Sequence, residues 1–425
     1  MPQKKGEGIT KIAVKGFKSI AEECAIDIRP LTILAGANSS GKSSIMQPLL
    51  MLKQTLEVPF DPGPLMIDGP NVKFTVAEQF LSTLIEGKKT DRFHIGIKCT
   101  KPDLYLQVTT TFVKKNKKIE LLEMTVDQSP PRERFTLYPK MKTKEIKMIV
   151  PPPSLSEDAD CVRRSACFLR LVSKGGYFVF NAVDYLTDEI FNTIHLPGIR
   201  GNPDRINKLS SASPWYPGTF DSYAASLVHE WQETADERLK KVTNALHTLE
   251  LTGAVATKKI GDVGIEVQVG RLPHDTTGET DMVNIADVGI GVSQVLPVLV
   301  ALIAASPSQL VYLEQPELHL HPNAQVKLAQ VLADAAKRGV RVVAETHSSL
   351  LLLGIQTLVA EGKLSPDLVK LHWFSRNKEG ITEVDSVDLD EAGTYGEWPV
   401  DFNDVSLNAQ SRYIKASRSR FIEGT

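Results

Sequence analysis

The stretch GANSSGKSS carries residue types that together bind phosphate. Gly36 is followed by four residues and then by Gly41, Lys42 and Ser43, which matches the G-x-x-x-x-G-K-[ST] loop. The glycines let backbone N–H groups turn inward around phosphate oxygens at the N-terminus of a helix. Lys42 would bridge the β- and γ-phosphates of a nucleotide, and the Ser43 hydroxyl would bind Mg²⁺. The predicted nucleotide contacts are Gly36, Asn38, Ser39, Ser40, Gly41, Lys42, Ser43 and Ser44.

A second stretch, VYLEQPELHLHP, delivers a carboxylate from the end of an apolar run. Ligands bind at the carboxyl edge of a parallel sheet, so Glu314 suits the coordination of Mg²⁺, directly or through water. A strand that simply ends in a polar residue is the alternative. The histidines and glutamates of this stretch do not predict an independent zinc site, because a second cluster of ligands is missing.

The residues after Glu314 raise the question of how a phosphate would be hydrolysed. Gln315 cannot accept a proton at neutral pH, although its amide can orient water, and Glu317 is the nearest carboxylate. Farther on, VRVVAETHSS delivers His347 just past another strand, where a sensor of the γ-phosphate would project. A lone histidine is otherwise commonly a surface or core residue. The candidate catalytic residues are therefore Gln315, Glu317 and His347.

The elements around these motifs alternate between strands and helices. The phosphate loop follows the apolar run LTILAG and precedes a helical pattern, a context that distinguishes the motif from a plain Gly/Ser-rich turn. QLVYLEQ and VRVVAET are β-rich runs separated by the helical pattern AQVKLAQVLADAAKRG. Apolar strands that alternate with helices predict an α/β fold with a largely parallel sheet covered on both faces.

We expect three segments along the chain. Residues 1–140 hold the phosphate loop and a strand-rich region at 91–138, where apolar and polar residues alternate. Residues 141–260 begin with a proline-rich linker near 140–160 and continue as a mostly helical insert or lid. Residues 261–425 carry the carboxylate strand and the histidine that follows the next strand.

Composition limits the class of protein. Hydrophobic residues make up 42% and charged residues 24% of the chain, and the net charge of -2 gives no global attraction to nucleic acid. The four cysteines are scattered without a C-x-x-C pair, which argues against a disulfide framework and for a reducing compartment. No apolar run reaches the roughly 18 residues of a membrane span, and the N-terminus lacks the apolar core of a secretory signal. We therefore expect a cytoplasmic protein with no membrane partner.

Four pieces of the chain, GANSSGKSS, DVGIGVSQVLPVL, VYLEQPELHLHP and VVAETHSSLLL, occur in an order that resembles one family. This family is the ABC-type ATPases of the SMC-like and OLD-like branch, and the likeness is greatest to small bacterial OLD-related ATPases without a long coiled coil. The resemblance covers roughly residues 9–55 and 283–353. It implies an ABC-type P-loop ATPase head that uses ATP and Mg²⁺, with an antiparallel β lobe and a mostly helical insert.

The same resemblance implies partners and further site residues. In such ATPases two heads sandwich ATP, with the phosphate loop of one head facing the signature loop of the other. By that match Gly291, Ser293 and Gln294 in VGIGVSQ would contact the nucleotide of a second head, within a homodimer or a higher oligomer. LHLHP would be the loop through which the heads communicate, and Gln79 in FTVAEQFL would be the lobe-coupling glutamine beside Mg²⁺. Seen alone, VGIGVSQ could also be a plain turn between a strand and a helix.

The chain departs from the family pattern at the carboxylate strand. An acid followed by glutamate is common there, whereas Glu314 is followed by Gln315. Gln315 is either the natural residue, which would make hydrolysis slow or move its chemistry to Glu317 or His347, or an introduced Glu→Gln change that traps ATP.

The function implied by the resemblance is an ATP hydrolase that dimerises around ATP and regulates a nucleic-acid-directed effector, in bacterial anti-phage defence or DNA maintenance. About 78 residues follow His347, too few for the Toprim domain of OLD nucleases, so a nuclease-type effector would be a separate protein. The lysines of VKKNKKIE and YPKMKTKEIK are candidates for direct contact with nucleic acid. The alternative is a non-hydrolysing, ATP-bound scaffold that only assembles a partner protein.

Overall fold

A computed structural model describes residues 7–83, 87, 89–116, 118–130, 132–151, 154, 158–179, 183–210, 215–271, 281–396 and 411–414. In chain order the strands are β1 (Gly8–Lys15), β2 (Cys24–Asp27), β3 (Leu31–Gly36), β4 (Arg92–Lys101), β5 (Leu104–Lys115), β6 (Lys118–Ser129), β7 (Glu133–Leu137), β8 (Ala159–Ser165), β9 (Phe168–Ser173), β10 (Ile194–Leu196), β11 (Asn207–Lys208), β12 (Val255–Ile260), β13 (Gly264–Gly270), β14 (Met282–Asn284), β15 (Leu310–Glu314), β16 (Arg341–Glu345), β17 (Val369–Arg376) and β18 (Thr382–Val387). The helices are α1 (Lys42–Glu57), α2 (Thr143–Ile149), α3 (Val183–Phe191), α4 (Ala224–Glu233), α5 (Glu237–Thr248), α6 (Ile290–Ala304), α7 (Pro322–Lys337) and α8 (Ser349–Ala360). None of the helices in the described ranges is long and apolar enough to cross a membrane.

A six-stranded, mostly parallel sheet carries the predicted motifs. Its strand order is β10-β15-β16-β3-β17-β18, and all neighbours run parallel except β17 and β18. Parallel neighbours end at the same edge of a sheet, so the ends of β3, β15 and β16 place Gly36, Glu314 and Glu345 close together. Glu314 lies directly opposite Glu345 in the register of β15 and β16. The predicted α/β class with a largely parallel sheet is confirmed.

Both faces of this central sheet are covered, because its strands are apolar on both sides. Successive side chains of a strand point to opposite faces, so Leu31 and Ile33 pack into a core formed with helices α4–α8. Leu34 points the other way and packs with residues of α1. The apolar run VLPVLVALIAA lies in α6, a buried helix that contacts α4, α5 and α7.

A second, antiparallel sheet has the order β2-β1-β4-β5-β6-β7 and accounts for the strands predicted at 91–138. Its apolar residues, including Ile12, Ile95 and Val108, share a core with α1. The turn after β1 also reaches the phosphate loop, because Ser19 bonds with the Thr382 hydroxyl, which in turn donates to the Ser40 carbonyl oxygen. The segment that follows β1 of the antiparallel sheet therefore helps to fix the phosphate loop in position.

The segment 141–260 is less helical than predicted, and it is joined to the central sheet. Helices α4 and α5 supply the expected helical part, but β8 and β9 form a hairpin and the predicted linker contains α2. Strand β10 pairs with β15 as the edge strand of the central sheet. The run IHL has three residues, too few to show a period, so the strand conformation of β10 depends on its pairing with β15.

Candidate active site

The phosphate loop connects β3 to α1 through two glycines with positive φ. Gly36 has φ 141 and Gly41 has φ 109, and both values favour glycine. Space also requires glycine at both positions. A Cβ atom at Gly36 would lie 2.2 Å from the Phe374 carbonyl oxygen, and one at Gly41 would lie 2.4 Å from the Thr382 hydroxyl. The loop is therefore packed closely between α1 and the ends of β17 and β18.

Lys42 and Ser40 present polar groups that fit a nucleotide phosphate. The Lys42 ammonium is buried and donates to the carbonyl oxygens of Gly36, at 3.1 Å, and Ala37, at 2.8 Å. Burial lowers the pKa of Lys42, and the nearby carboxylates of Glu345 and Glu317 oppose that shift. The buried Ser40 hydroxyl has no hydrogen-bond partner among the described residues. Phosphate oxygens would satisfy both groups.

Two carboxylates lie beside the loop, one from each of two neighbouring strands. Glu345 accepts a hydrogen bond from the Ser43 hydroxyl at 2.9 Å and another from the Tyr312 hydroxyl at 2.9 Å. Burial raises the pKa of Glu345, and the neighbouring charge of Glu314 raises it further. A serine hydroxyl and two carboxylates are hard oxygen ligands of the kind that Mg²⁺ prefers. The residues present therefore fit a bound Mg²⁺, with Glu345 as a member that the sequence had not indicated.

Glu314 is held on both of its oxygens by β10 and the residues that follow it. His195 Nε2 lies 3.2 Å from Glu314 Oε1, and the Gly198 N–H donates to Oε2 at 3.2 Å. Burial alone would raise the pKa of Glu314, and the hydrogen bond with His195 is the largest of the effects that lower it. The Gly198 N–H and the Arg200 guanidinium add to this effect, and the net result is a lowered pKa. Glu314 is therefore ionised at neutral pH.

Glu317 is a third carboxylate at this edge of the sheet, three residues beyond the end of β15. Its side chain is only 6% exposed. One oxygen accepts from the Thr346 hydroxyl at 2.6 Å and from the His347 N–H at 3.1 Å, while the other has no partner among the described residues. Burial raises the pKa of Glu317. A carboxyl group with a raised pKa and an unpaired oxygen is suited to accept a proton.

The other two candidate catalytic residues also lie at this edge of the sheet. His347 is half-buried and lies close enough to the Gly36 backbone and to the Lys42 ammonium for both to affect its pKa. Burial and then Lys42 lower the pKa of His347, so its ring is neutral at pH 7. Gln315 takes a left-handed backbone conformation, with φ 46, and its N–H donates to the Glu345 carbonyl oxygen at 2.8 Å.

The signature residues lie at the start of α6, but two of their side chains bond within the chain. The Ser293 hydroxyl donates to the Ile290 carbonyl oxygen at 2.9 Å. The Gln294 side chain is 2% exposed, and its amide donates to the Gly201 carbonyl oxygen at 3.1 Å. A Cβ atom on Gly291 would lie 3.3 Å from the carbonyl oxygen of His319 in the LHLHP loop. Their contact with the nucleotide of a second head stays a prediction, and for Gln294 it requires this buried bond to break.

Gln79 has a local role that differs from the predicted one. Its side chain is exposed, and its amide oxygen accepts from the N–H groups of Thr75, at 2.7 Å, and Val76, at 3.4 Å. The oxygen that would bind Mg²⁺ thus caps the short turn in which Gln79 itself lies. Its contact with Mg²⁺ stays a prediction, and it requires the amide oxygen to leave these local N–H groups.

Sequence reasoning missed three residues of this site: Glu345, His195 and Arg200. Glu345 ends a strand just as Glu314 does, and that shared position was the available signal. His195 and Arg200 come from HLPGIRGNPDR, a stretch with no recognisable motif. Arg200 is 8% exposed and donates to the carbonyl oxygens of Pro197, at 3.0 Å, and Gln315, at 3.3 Å.

Comparisons with known proteins agree with this geometry. Residues 8–150 match the family model "AAA ATPase domain", and residues 217–353 match "AAA domain, putative AbiEii toxin, Type IV TA system". No curated protein matches the chain in sequence.

A solved structure of an SMC head has a similar fold. An SMC head bound to the C-winged helix domain of ScpA has a TM-score of 0.51 and 12% identity, covering 91% of this chain and 99% of that one. The SMC head domain from Thermotoga maritima has a TM-score of 0.43 and 12% identity, covering 90% of this chain and 100% of that one. An Smc head with an extended coiled coil, bound to the C-terminal domain of ScpA derived from Pyrococcus furiosus, has a TM-score of 0.43 and 11% identity, covering 90% and 96%. The phosphate loop, the paired carboxylate strands, the two family-model matches and the likeness to an SMC head together support an AAA ATPase of the SMC-like and OLD-like branch.

Proposed function

We propose that the chain hydrolyses ATP slowly, closes against a second copy of itself around ATP and Mg²⁺, and thereby regulates a separate nucleic-acid-directed effector. The observation that carries the ATP chemistry is the meeting of Ser43, Glu314 and Glu345 beside the phosphate loop. The family already implies an ATPase. The rate, the dimer and the effector are the parts that we propose.

In this proposal different side chains bind the phosphates, hold Mg²⁺ and accept the proton of the attacking water. The loop N–H groups and Lys42 bind the phosphates, while Ser43, Glu314 and Glu345 would hold Mg²⁺. When bound, Mg²⁺ would neutralise charge that develops on the phosphate oxygens. Glu317 accepts the proton of the attacking water, since its raised pKa brings a carboxylate closer to the pH at which it must act. The neutral ring of His347 is placed to donate a hydrogen bond to the γ-phosphate.

Closure against a second copy is supported by apolar residues around the signature. Ile199 is 92% exposed and Ile290 is 42% exposed. Their segments touch, because Gln294 bonds to the Gly201 carbonyl oxygen. Exposed apolar side chains beside a helix N-terminus suit a surface that covers a partner's nucleotide.

The class of the effector is proposed from the descriptions of one family model and one similar structure. One matching family model names a type IV toxin–antitoxin system, and the similar SMC head was solved with a winged-helix domain of another protein. A role in bacterial anti-phage defence or DNA maintenance agrees with both. Likeness of fold alone does not transfer a partner, so we propose only its class, a separate nuclease-type protein.

Light scattering with nucleotide tests the proposed closure. With ATP and Mg²⁺ we expect Glu317→Gln protein, in which ATP survives, to pass from monomer to dimer. Lys42→Ala should stay monomeric because it binds phosphate poorly, and Ser293→Arg should bind ATP without dimerising. A Glu317→Gln protein that keeps one mass with and without ATP would remove the dimer from the proposal.

A second candidate function is a scaffold that binds ATP and never hydrolyses it. Gln315, which cannot act as a base, favours it. Single-turnover hydrolysis of labelled ATP separates the two functions, with Lys42→Ala as the control. We expect the natural chain to convert ATP measurably faster than the control, and equal rates would leave only the scaffold.

A further inference from the structure

A partly buried row of polar side chains connects Glu314 to the far end of the phosphate-loop helix. His195 is 1% exposed, and its ring stacks on Tyr312 with 5.4 Å between the ring centroids. Its Nε2 faces Glu314 and its Nδ1 lies 2.9 Å from Asn71 Oδ1. Asn71 Nδ2 in turn donates to Glu57 Oε2 at 3.5 Å, and Glu57 pairs with the Lys53 ammonium, both on α1.

The geometry of this row fixes which atoms face one another. The Glu57 carboxylate can only accept, so the Asn71 amide nitrogen faces it and the Asn71 oxygen faces His195 Nδ1. The other ring nitrogen of His195, Nε2, faces Glu314 Oε1. Both ring nitrogens therefore point at side chains of the row, so the ring does not bind a metal itself but can fix the carboxylate that does.

The row is anchored at both ends. The pairing of β10 with β15 places His195 beside Tyr312 in the sheet register. At the other end, the side chain of Gln54 on α1, which is 1% exposed, forms hydrogen bonds with the backbone at Asn71 and Val72. Its amide oxygen accepts from the N–H groups of Asn71, at 3.2 Å, and Val72, at 3.0 Å. The helix that begins at Lys42 thus also sets the position of Asn71, and through it that of His195.

We propose that His195 is a positioning residue that holds Glu314 in the orientation required for Mg²⁺, with Asn71 and Glu57 fixing its ring. This inference rests on the proposed role of Glu314 as a metal carboxylate. Side chains that orient a metal ligand commonly change metal affinity by about 10- to 100-fold when they are removed. His195 belongs to the inserted segment, so the same contact makes Mg²⁺ affinity depend on how that segment sits against β15.

Binding of a fluorescent ATP analogue, titrated with Mg²⁺ and repeated in EDTA, tests the role. His195→Leu should raise the half-saturating Mg²⁺ concentration about 10- to 100-fold and leave affinity in EDTA within about twofold. The spectrum of bound Mn²⁺ in electron paramagnetic resonance should broaden, because its carboxylate is no longer fixed. The matched control is His372→Leu. His372 is a fully buried histidine on β17 that bonds to Ser386 and to the Asp27 backbone.

Both leucine variants should lower the melting temperature, but only His195→Leu should move the Mg²⁺ midpoint. An equal midpoint in the two variants would overturn the inference. His195→Gln keeps a donor toward Glu314 and should recover most of the Mg²⁺ affinity, which guards against a leucine variant that fails to fold. Asn71→Leu should shift the midpoint less than His195→Leu, and the two changes together should be non-additive. Additive shifts would remove Asn71 from the row.

The failure of this inference can be told apart from failure of the proposed function. If Glu314→Gln abolishes the Mg²⁺ dependence and His195→Leu leaves it unchanged, only the positioning role is wrong. If Glu314→Gln also leaves it unchanged, Glu314 is not a metal carboxylate, and both proposals fail together.

Discussion

Replacement of Glu317 by glutamine separates the chemistry of this carboxylate from its structural role. The bonded oxygen of Glu317 accepts two hydrogen bonds, from Thr346 and from the His347 N–H, and the oxygen of a glutamine amide can keep both. The amide nitrogen would take the place of the oxygen that has no partner among the described residues. Shape is preserved, so the variant should fold and bind ATP. Only the ability to accept a proton is lost.

The expected loss of rate follows from the proton transfer. A positioned general base typically contributes about 10²- to 10⁴-fold, which corresponds to roughly 2.7–5.4 kcal/mol of barrier. Single-turnover hydrolysis of labelled ATP by Glu317→Gln should therefore fall at least about 100-fold, with ATP affinity unchanged. Gln315→Ala is the matched comparison and should lose less, because Gln315 never carries the proton. A Glu317→Gln rate within a few fold of the natural chain, or a larger loss in Gln315→Ala, would refute this assignment.

The pH dependence provides an independent check on Glu317. Burial raises its pKa above the unfolded value of about 4.3, so the folded chain favours the protonated form. The group's contribution to stability is complete below the unfolded pKa and is lost as pH rises through the folded pKa. Glu317→Gln should thus gain melting temperature relative to the natural chain between pH 4 and pH 8. Hydrolysis by the natural chain should fall as pH drops through the raised pKa. A flat difference in melting temperature would contradict the raised pKa.

Two further substitutions test the loop and the basic surface. Gly36→Ala should destabilise the chain by more than the roughly 1–3 kcal/mol of positive-φ strain, because its Cβ would also lie 2.2 Å from a β17 carbonyl oxygen. Gly63 has φ 97 and open space around it, so Gly63→Ala should show the cost of backbone strain alone. Chemical denaturation measures the free energy of unfolding of both variants, and an equal loss in the two would contradict the packing argument at Gly36. The lysines Lys144 and Lys147 of α2 are exposed, and their joint change to alanine should reduce the salt dependence of DNA retention by about two phosphate contacts. Lys115 already forms an ion pair, so Lys115→Ala should change the salt dependence of DNA retention less. DNA retention that does not vary with salt concentration would exclude direct contact between these lysines and DNA phosphates.

The parts of the site that lie within one stretch of sequence could be predicted. The phosphate loop is contiguous, and the order strand, glycine loop, helix identifies it. Glu314 could be predicted because it ends an apolar strand. Its neighbour Glu345 has the same kind of position, but its contact with Ser43 spans 302 residues of sequence and depends on β16 lying between β15 and β3. That strand order is a property of the whole fold, and no local pattern carries it.

The insert could not be predicted for a related reason. Its strand β10 has three residues, too few for a period, and it becomes a strand only by pairing with β15. His195 would look like a surface histidine until that pairing places it beside Glu314. The chemistry of HLPGIRGNPDR therefore depends on where the segment packs, and its residue types alone do not reveal it.

The glutamine at position 315 does not by itself predict an inactive enzyme, because the hydrogen bonds that fix this residue are made by its backbone. Its N–H donates to the carbonyl oxygen of Glu345, and its own carbonyl oxygen accepts from Arg200. Neither contact involves the side chain, so the tight turn after β15 forms with glutamine as well as with glutamate. The acid that the turn lacks is present two residues later, where Thr346 fixes one oxygen of Glu317. If Glu317 is the base that we propose, hydrolysis depends on whether water can reach its other oxygen, and the identity of residue 315 becomes secondary.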